Sequence, residues 1–196
     1  MTFLIGLTGS IGMGKTATAA LFQQEGCAVW DADASVHRLY SKGGAAVSPM
    51  AAAFPDAIIN SAVDRAKLKA IIAHDPTALK QIEAIVHPLV AQDRADFIDN
   101  HAGELIVLDI PLLFETGAAA NMDATVVVSI DAATQKHRVQ DRGTMTDTQF
   151  EHILAKQLPD AEKRAKADYI VITDTPEHGA AQVKAIVSDI KDRRHA

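Results

Sequence analysis

Phe3-Leu4-Ile5-Gly6-Leu7, followed one residue later by Gly9-Ser10-Ile11-Gly12-Met13-Gly14-Lys15-Thr16, is the stretch on which the reading of this chain turns. The first five residues are apolar on both faces, as a strand buried inside a parallel sheet must be. The next eight satisfy G-x-x-x-x-G-K-(S/T) at every defined position, and Lys15 to Glu25 has helical composition. Strand, glycine-rich loop and helix in that order form a cradle for phosphate. Glycines let backbone N–H groups turn inward without Cβ clashes, and the helix that follows places about half a positive charge at its N-terminus. Lys15 adds a mobile cation, and the Thr16 hydroxyl is a hard oxygen suited to Mg²⁺.

Working outward, apolar runs bounded by turn signals recur at residues 28–30, 105–108, 125–130 and 169–172. Between them lie stretches of helical composition at 33–40, 66–100, 132–142 and 178–194. The alternation predicts an α/β fold with a five-stranded parallel core. From about residue 41 to 101 no strand is evident, while Leu68, Ile71, Ile72, Leu79, Ile82, Ile85, Val86, Leu89 and Val90 fall at near-helical spacing. This predicts a helical insertion, which either covers the sheet or caps a substrate. The polar stretch Arg142 to Asp147 reads as a mobile flap or a surface loop.

Composition narrows the function classes. The chain has 196 residues, of which 48% are hydrophobic and 22% charged, with a net charge of −6. These are the values of one globular core rather than of a disordered or fibrous chain. An aromatic content of 5% with an acidic balance gives no ground for a nucleic-acid surface. Cys27 is the single cysteine, and the eight histidines show no metal-ligand spacing. The apolar run at residues 3–7 lacks the flanks of a signal peptide, and no stretch approaches the roughly 20 apolar residues of a membrane span. The expected setting is the cytoplasm.

Two other readings compete at the loop. Gly12 to Ala17 also fits the dinucleotide fingerprint G-x-G-x-x-A, with Asp31 and Asp33 near the place of a ribose-binding acid. That fingerprint leaves Gly9, Lys15 and Thr16 without a role, whereas the phosphate loop uses all three. A switch GTPase needs D-x-x-G and N/T-K-x-D elements, and the chain has neither. Asp31 and Asp33 instead follow the second expected strand, at the carboxyl edge where open α/β sheets bind ligands. Each either caps the next helix or serves as a base for an attacking hydroxyl.

Taken together, the phosphate loop, Asp31-Ala32-Asp33, Val86-His87-Pro88, Asp109 to Glu115, and Gln157-Leu158-Pro159 leading to Lys163 through Tyr169 resemble dephospho-coenzyme A kinase over nearly the whole chain. The resemblance implies a three-layer P-loop kinase fold and transfer of the γ-phosphoryl of ATP to the ribose 3′-hydroxyl of dephospho-coenzyme A. It implies Asp33 as general base, with residues Gly9, Ser10, Ile11, Gly12, Met13, Gly14, Lys15 and Thr16 holding ATP and Mg²⁺. His87 and Pro88 lie by the acceptor, and Asp109 is near substrate and metal, through water in the latter case. Arg138 and Arg142 match the lid and reach ATP on its closure, and Glu115, partner to Asp109, orders the loop near that acid. The implied division is a core at about 1–40, 102–141 and 150–196, a coenzyme A-binding insertion at 41–101 and a lid at 142–149. ATP and dephospho-coenzyme A are the implied partners, with no nucleic acid, membrane or obligatory protein. After Tyr169 the run Ile170-Val171-Ile172-Thr173-Asp174-Thr175 departs from the family's usual polar pair, which leaves the adenine contact unassigned.

Overall fold

The computed structural model describes residues 2–195, which form two compact units. One comprises the chain up to Trp30 and from His101 onward; the other is Asp31–Asn100.

The first unit is built on a five-stranded parallel sheet. Its strands are β1 (Phe3–Thr8), β2 (Ala28–Asp31), β5 (Leu105–Asp109), β6 (Ala124–Ser129) and β7 (Tyr169–Ile172), in the spatial order β2-β5-β1-β6-β7. All five expected strands are present. Central β1 pairs Leu7 with Asp109 on one side and with Val126 on the other, so the carboxyl ends of β1 and β5 are level. Every residue of β5 and β6 is buried, which is why both read as unbroken apolar runs. Helices α1 (Lys15–Gln24) and α9 (Pro176–His195) close one face. Phe22, Val183, Ile186, Val187 and Ile190 pack there with Ile5, Leu7, Val107, Val126 and Val171. Burying a side chain such as Phe22 contributes about 2–3 kcal/mol.

Helix α6 (Ala132–Asp141) follows β6, and its N-cap Asp131 accepts the Thr134 N–H at 2.9 Å. The stretch expected to be irregular through Asp147 ends one residue earlier. Thr146 and Gln149 form a reciprocal capping box that starts α7 (Asp147–Leu154), and α8 (Asp160–Lys166) comes before β7.

The second unit contains α2 (Ala32–Tyr40), α3 (Val47–Ala53), α4 (Arg65–His74) and α5 (Ala78–Asn100), packed around Leu39, Tyr40, Met50, Leu68, Ile82 and Val86. Two features correct the sequence reading. A short antiparallel hairpin pairs β3 (Ile58–Ile59) with β4 (Ala62–Val63), where no strand was expected. Its connecting residues Asn60 and Ser61 have φ of 51° and 62°, the double left-handed conformation of a type I′ turn. Strands of two residues are too short for alternation to show. The helix expected over 66–100 is also two helices. Pro76 disfavours helical geometry at Asp75, whose carboxylate instead takes the Thr77 N–H at 2.9 Å and hydroxyl at 2.6 Å. Within α5, Pro88 removes one N–H from the helical ladder. No helix among the described residues is long and apolar enough to cross a membrane.

Candidate active site

The loop from Gly9 to Gly14 joins β1 to α1. Two of its glycines adopt positive φ. Gly12 has φ +81°, and a Cβ there would stand 2.7 Å from Val139 Cγ2 and 3.0 Å from the Gln135 carbonyl oxygen. Gly14, the N-cap of α1, has φ +96°, and a Cβ would meet the Thr173 side chain at 3.2 Å. Gly14 supplies no side-chain cap, so the first-turn N–H groups of α1 have no side chain closing them off from a ligand. An anion is the natural complement of such an end.

Several bonds fix the loop. The Ile11 N–H is accepted by Gln157 Oε1 at 3.2 Å, and its carbonyl takes a bond from Gln135 Nε2 at 2.7 Å. Thr173 Oγ1 donates to the Met13 carbonyl at 2.7 Å, and the Met13 sulfur accepts the Ile130 N–H at 3.2 Å. Arg138 in turn grips Thr173, through Nη1 to the hydroxyl at 2.9 Å and Nη2 to the carbonyl at 2.5 Å. It is therefore a half-buried, bonded arginine that reaches the loop through one intermediary.

Lys15 pairs with Asp109, whose side chain is fully buried at the end of β5. Ser10 and Met13 are buried as well. Glu115 stands apart from Asp109 in its bonding. It accepts the Leu158 N–H at 2.8 Å and pairs with the fully buried Lys163 at 2.9 Å. Burial pushes the Glu115 carboxyl up, but the Leu158 amide and Lys163 outweigh it, leaving it below the ordinary carboxylate range.

Beside α1 a cleft of about 300 Å³ is lined by Gly14, Leu21, Arg138, Arg142, Thr173 and Pro176, among others. Thr175, which also lines it, and Asp174 immediately precede α9. His178 beside Asp174, with the Thr175 N–H, holds that carboxyl below its usual range. Thr173 was missed as a site residue from sequence because its partners lie at residues 13 and 138, far along the chain.

The remaining expected residues belong to the second unit. Asp31 caps α2 by accepting the Ala34 N–H at 2.9 Å, which gives the capping reading to that acid. Asp33, in the first turn of α2, is exposed, and no hydrogen bond or ion pair engages it among the described residues. His87 and Pro88 are exposed on α5.

Thr16 and Asp109 present hard oxygens, while no group of three His, Cys, Asp or Glu side chains among the described residues forms a cage for a metal ion. That donor set fits a cation that brings water and phosphate oxygens as its other ligands, as Mg²⁺ does.

A parallel sheet in this strand order, with a Gly-x-x-x-x-Gly-Lys-Thr loop between its central strand and a helix whose end is uncapped, defines a P-loop kinase fold. Comparison with solved structures agrees. A Thermus thermophilus protein, TT1252, superposes with a TM-score of 0.83 at 29% identity, covering 96% of this chain and 97% of that one. The dephospho-CoA kinase of Campylobacter jejuni shares the fold with a TM-score of 0.68 at 19% identity, over 96% and 97% of the two chains. The dephospho-CoA kinase of Ruegeria pomeroyi is 63% identical over 191 residues, 97% of each chain. Residues 3–177 match the family model for dephospho-CoA kinase, and the chain belongs to that family.

Proposed function

We propose that this chain performs its family's reaction, ATP-dependent phosphorylation of the ribose 3′-hydroxyl of dephospho-coenzyme A to give coenzyme A and ADP, with the following division of labour. The phosphate loop wraps the triphosphate, its N–H groups and the dipole of α1 facing the phosphates. Lys15 moves from Asp109 to the transferring phosphoryl group. Thr16, with Asp109 acting through water, would hold Mg²⁺, whose charge would offset that of the phosphates. The adenosine occupies the cleft between α1, α6 and α9, where Leu21 and Pro176 offer apolar contact.

On the acceptor side, Asp33 is the base. Asp31 has taken the capping duty of α2, which leaves the Asp33 carboxylate with both oxygens available for a hydroxyl proton. The substrate's 3′-oxygen attacks the γ-phosphorus in line and the bond from that phosphorus to the β-bridging oxygen breaks. ADP departs while the proton passes to Asp33. His87, Pro88 and the helices of residues 41–101 hold the pantetheine-bearing substrate. Residues 142–149 act as a lid that carries Arg142 to the equatorial oxygens, with Arg138 at its root. ATP and dephospho-coenzyme A are the partners, in the cytoplasm, with no nucleic acid, membrane or obligatory protein.

The observation that carries this reading is the Lys15–Asp109 pair under an uncapped α1, in a chain that matches the family over 3–177. Purified protein with MgATP and dephospho-coenzyme A should yield coenzyme A and ADP in equal amounts by chromatography. Equal or faster turnover of a nucleoside monophosphate would assign a different acceptor.

A further inference from the structure

Both backbone groups of one phosphate-loop residue, Ile11, are held by glutamine side chains from distant parts of the chain. Gln135 lies on α6 and is 5% exposed; its amide donates to the Ile11 carbonyl at 2.7 Å. Gln157 follows α7, and its oxygen accepts the Ile11 N–H at 3.2 Å. The segment between them, residues 136–156, contains the proposed lid and α7. Its two roots therefore end on the same residue of the loop. The second root is itself anchored, because Leu158, the next residue, donates to Glu115 at 2.8 Å and Glu115 is paired with buried Lys163.

A glycine-rich loop that is left free loses backbone entropy when it closes around a ligand, about 1–2 kcal/mol per residue fixed. Bonds to both groups of Ile11 remove much of that freedom in advance, since φ and ψ of one residue near the loop's apex are set before any phosphate arrives. The bonds also oppose each other in direction, donor on one side and acceptor on the other, so the peptide groups flanking Ile11 cannot rotate without breaking at least one.

We propose that Gln135 and Gln157 are positioning residues for nucleotide binding, which together hold Ile11 so that the phosphate loop is already shaped for the triphosphate. Neither touches the reacting atoms. The inference rests on the assignment of ATP to this loop, and the test separates the two.

The variants are Q135M, Q157M and the double variant Q135M/Q157M. Methionine keeps the length of the side chain and removes its hydrogen bonding. Binding of ADP with magnesium is measured by calorimetry, alongside thermal unfolding without nucleotide. Wild-type protein that fails to bind ADP would overturn the assignment of the loop itself. With wild-type binding intact, each single variant should bind about tenfold more weakly while its nucleotide-free midpoint stays close to wild type. The double variant should lose little more than either single, because the loop is already released once one of the two bonds is gone. Binding by a single variant within twofold of wild type would overturn the inference. So would a double-variant loss equal to the product of the single losses, which is what two independent packing defects give. Gln157 is half-buried on the surface, so Q157M carries the test should Q135M fail to fold. In that case Q157E, which keeps an acceptor for the Ile11 N–H, should recover part of the lost affinity, and a Q157E protein no better than Q157M would overturn the inference.

Discussion

Glu115 and Lys163 share one ion pair but not one environment, and substitution should separate them. Lys163 is 0% exposed and Glu115 is its only ion-pair partner among the described residues, whereas Glu115 is 16% exposed and also holds the Leu158 N–H. E115Q strands a buried ammonium, a loss of about 3–5 kcal/mol. K163M leaves a carboxylate that still has an amide donor and reaches water, a loss of about 1–2 kcal/mol. For a chain of this size the midpoint of thermal unfolding should fall by about 10 °C in E115Q and about 4 °C in K163M at pH 7. The double variant E115Q/K163M should return most of the way to wild type. The sign of the acid limb follows from the lowered Glu115 carboxyl. Its stabilisation is present above the ordinary carboxylate range and is lost as pH falls through the folded value, so K163M should show a shallower acid loss than wild type. Circular dichroism melts at pH 4 and 7 measure all of this. A loss in K163M equal to that in E115Q would refute the assignment of the cost to the buried ammonium.

Asp33→Asn should retain MgATP affinity within about threefold and lower kcat by about 10² to 10⁴, as steady-state kinetics with dephospho-coenzyme A would show; an undiminished kcat removes it as the base. Burial pushes the Cys27 thiol up to about 11, from 9.0 when unfolded, so folding stability should hold below pH 9 and fall by about 2 kcal/mol as pH rises from there towards 11. Urea midpoints at pH 8 and 10.5 should show that C27A is largely spared this loss. Ser61 occupies a left-handed position with φ 62°, and S61G should raise the unfolding midpoint by about 2 °C, corresponding to roughly 0.5–1 kcal/mol.

The parts of the fold that were legible are those whose cause is local or repetitive. Each core strand is apolar because both its faces are covered, and the phosphate loop is a contiguous motif, so residues 3–16 and the runs at 105–109 and 124–129 announce themselves. The break at Asp75-Pro76-Thr77 and the capping box at Thr146 and Gln149 were readable in principle. Periodic apolar spacing carried across the first, and polar composition hid the second. Other features leave no local trace at all. Thr173 matters because it faces Met13 and Arg138, and Glu115 because it faces Leu158 and Lys163, pairings that only the folded sheet creates. The two acids at 31 and 33 show the boundary between these cases. Spacing brought both to the start of α2, and only the geometry of the Asp31 to Ala34 bond told the cap from the carboxylate left over.

The closed Lys15–Asp109 pair makes the resting loop electrically quiet. A triphosphate that recruits Lys15 does not gain a cation drawn from water; it takes one from a carboxylate that already had it, and the exchange swaps one anionic partner for another. Fewer small ions are then displaced than the charge of the nucleotide suggests, so raising ionic strength should weaken nucleotide capture only gently. Under the proposed assignment, preference for polyphosphates over other anions would then rest on the loop's inward N–H groups and the dipole of α1 more than on a free lysine charge.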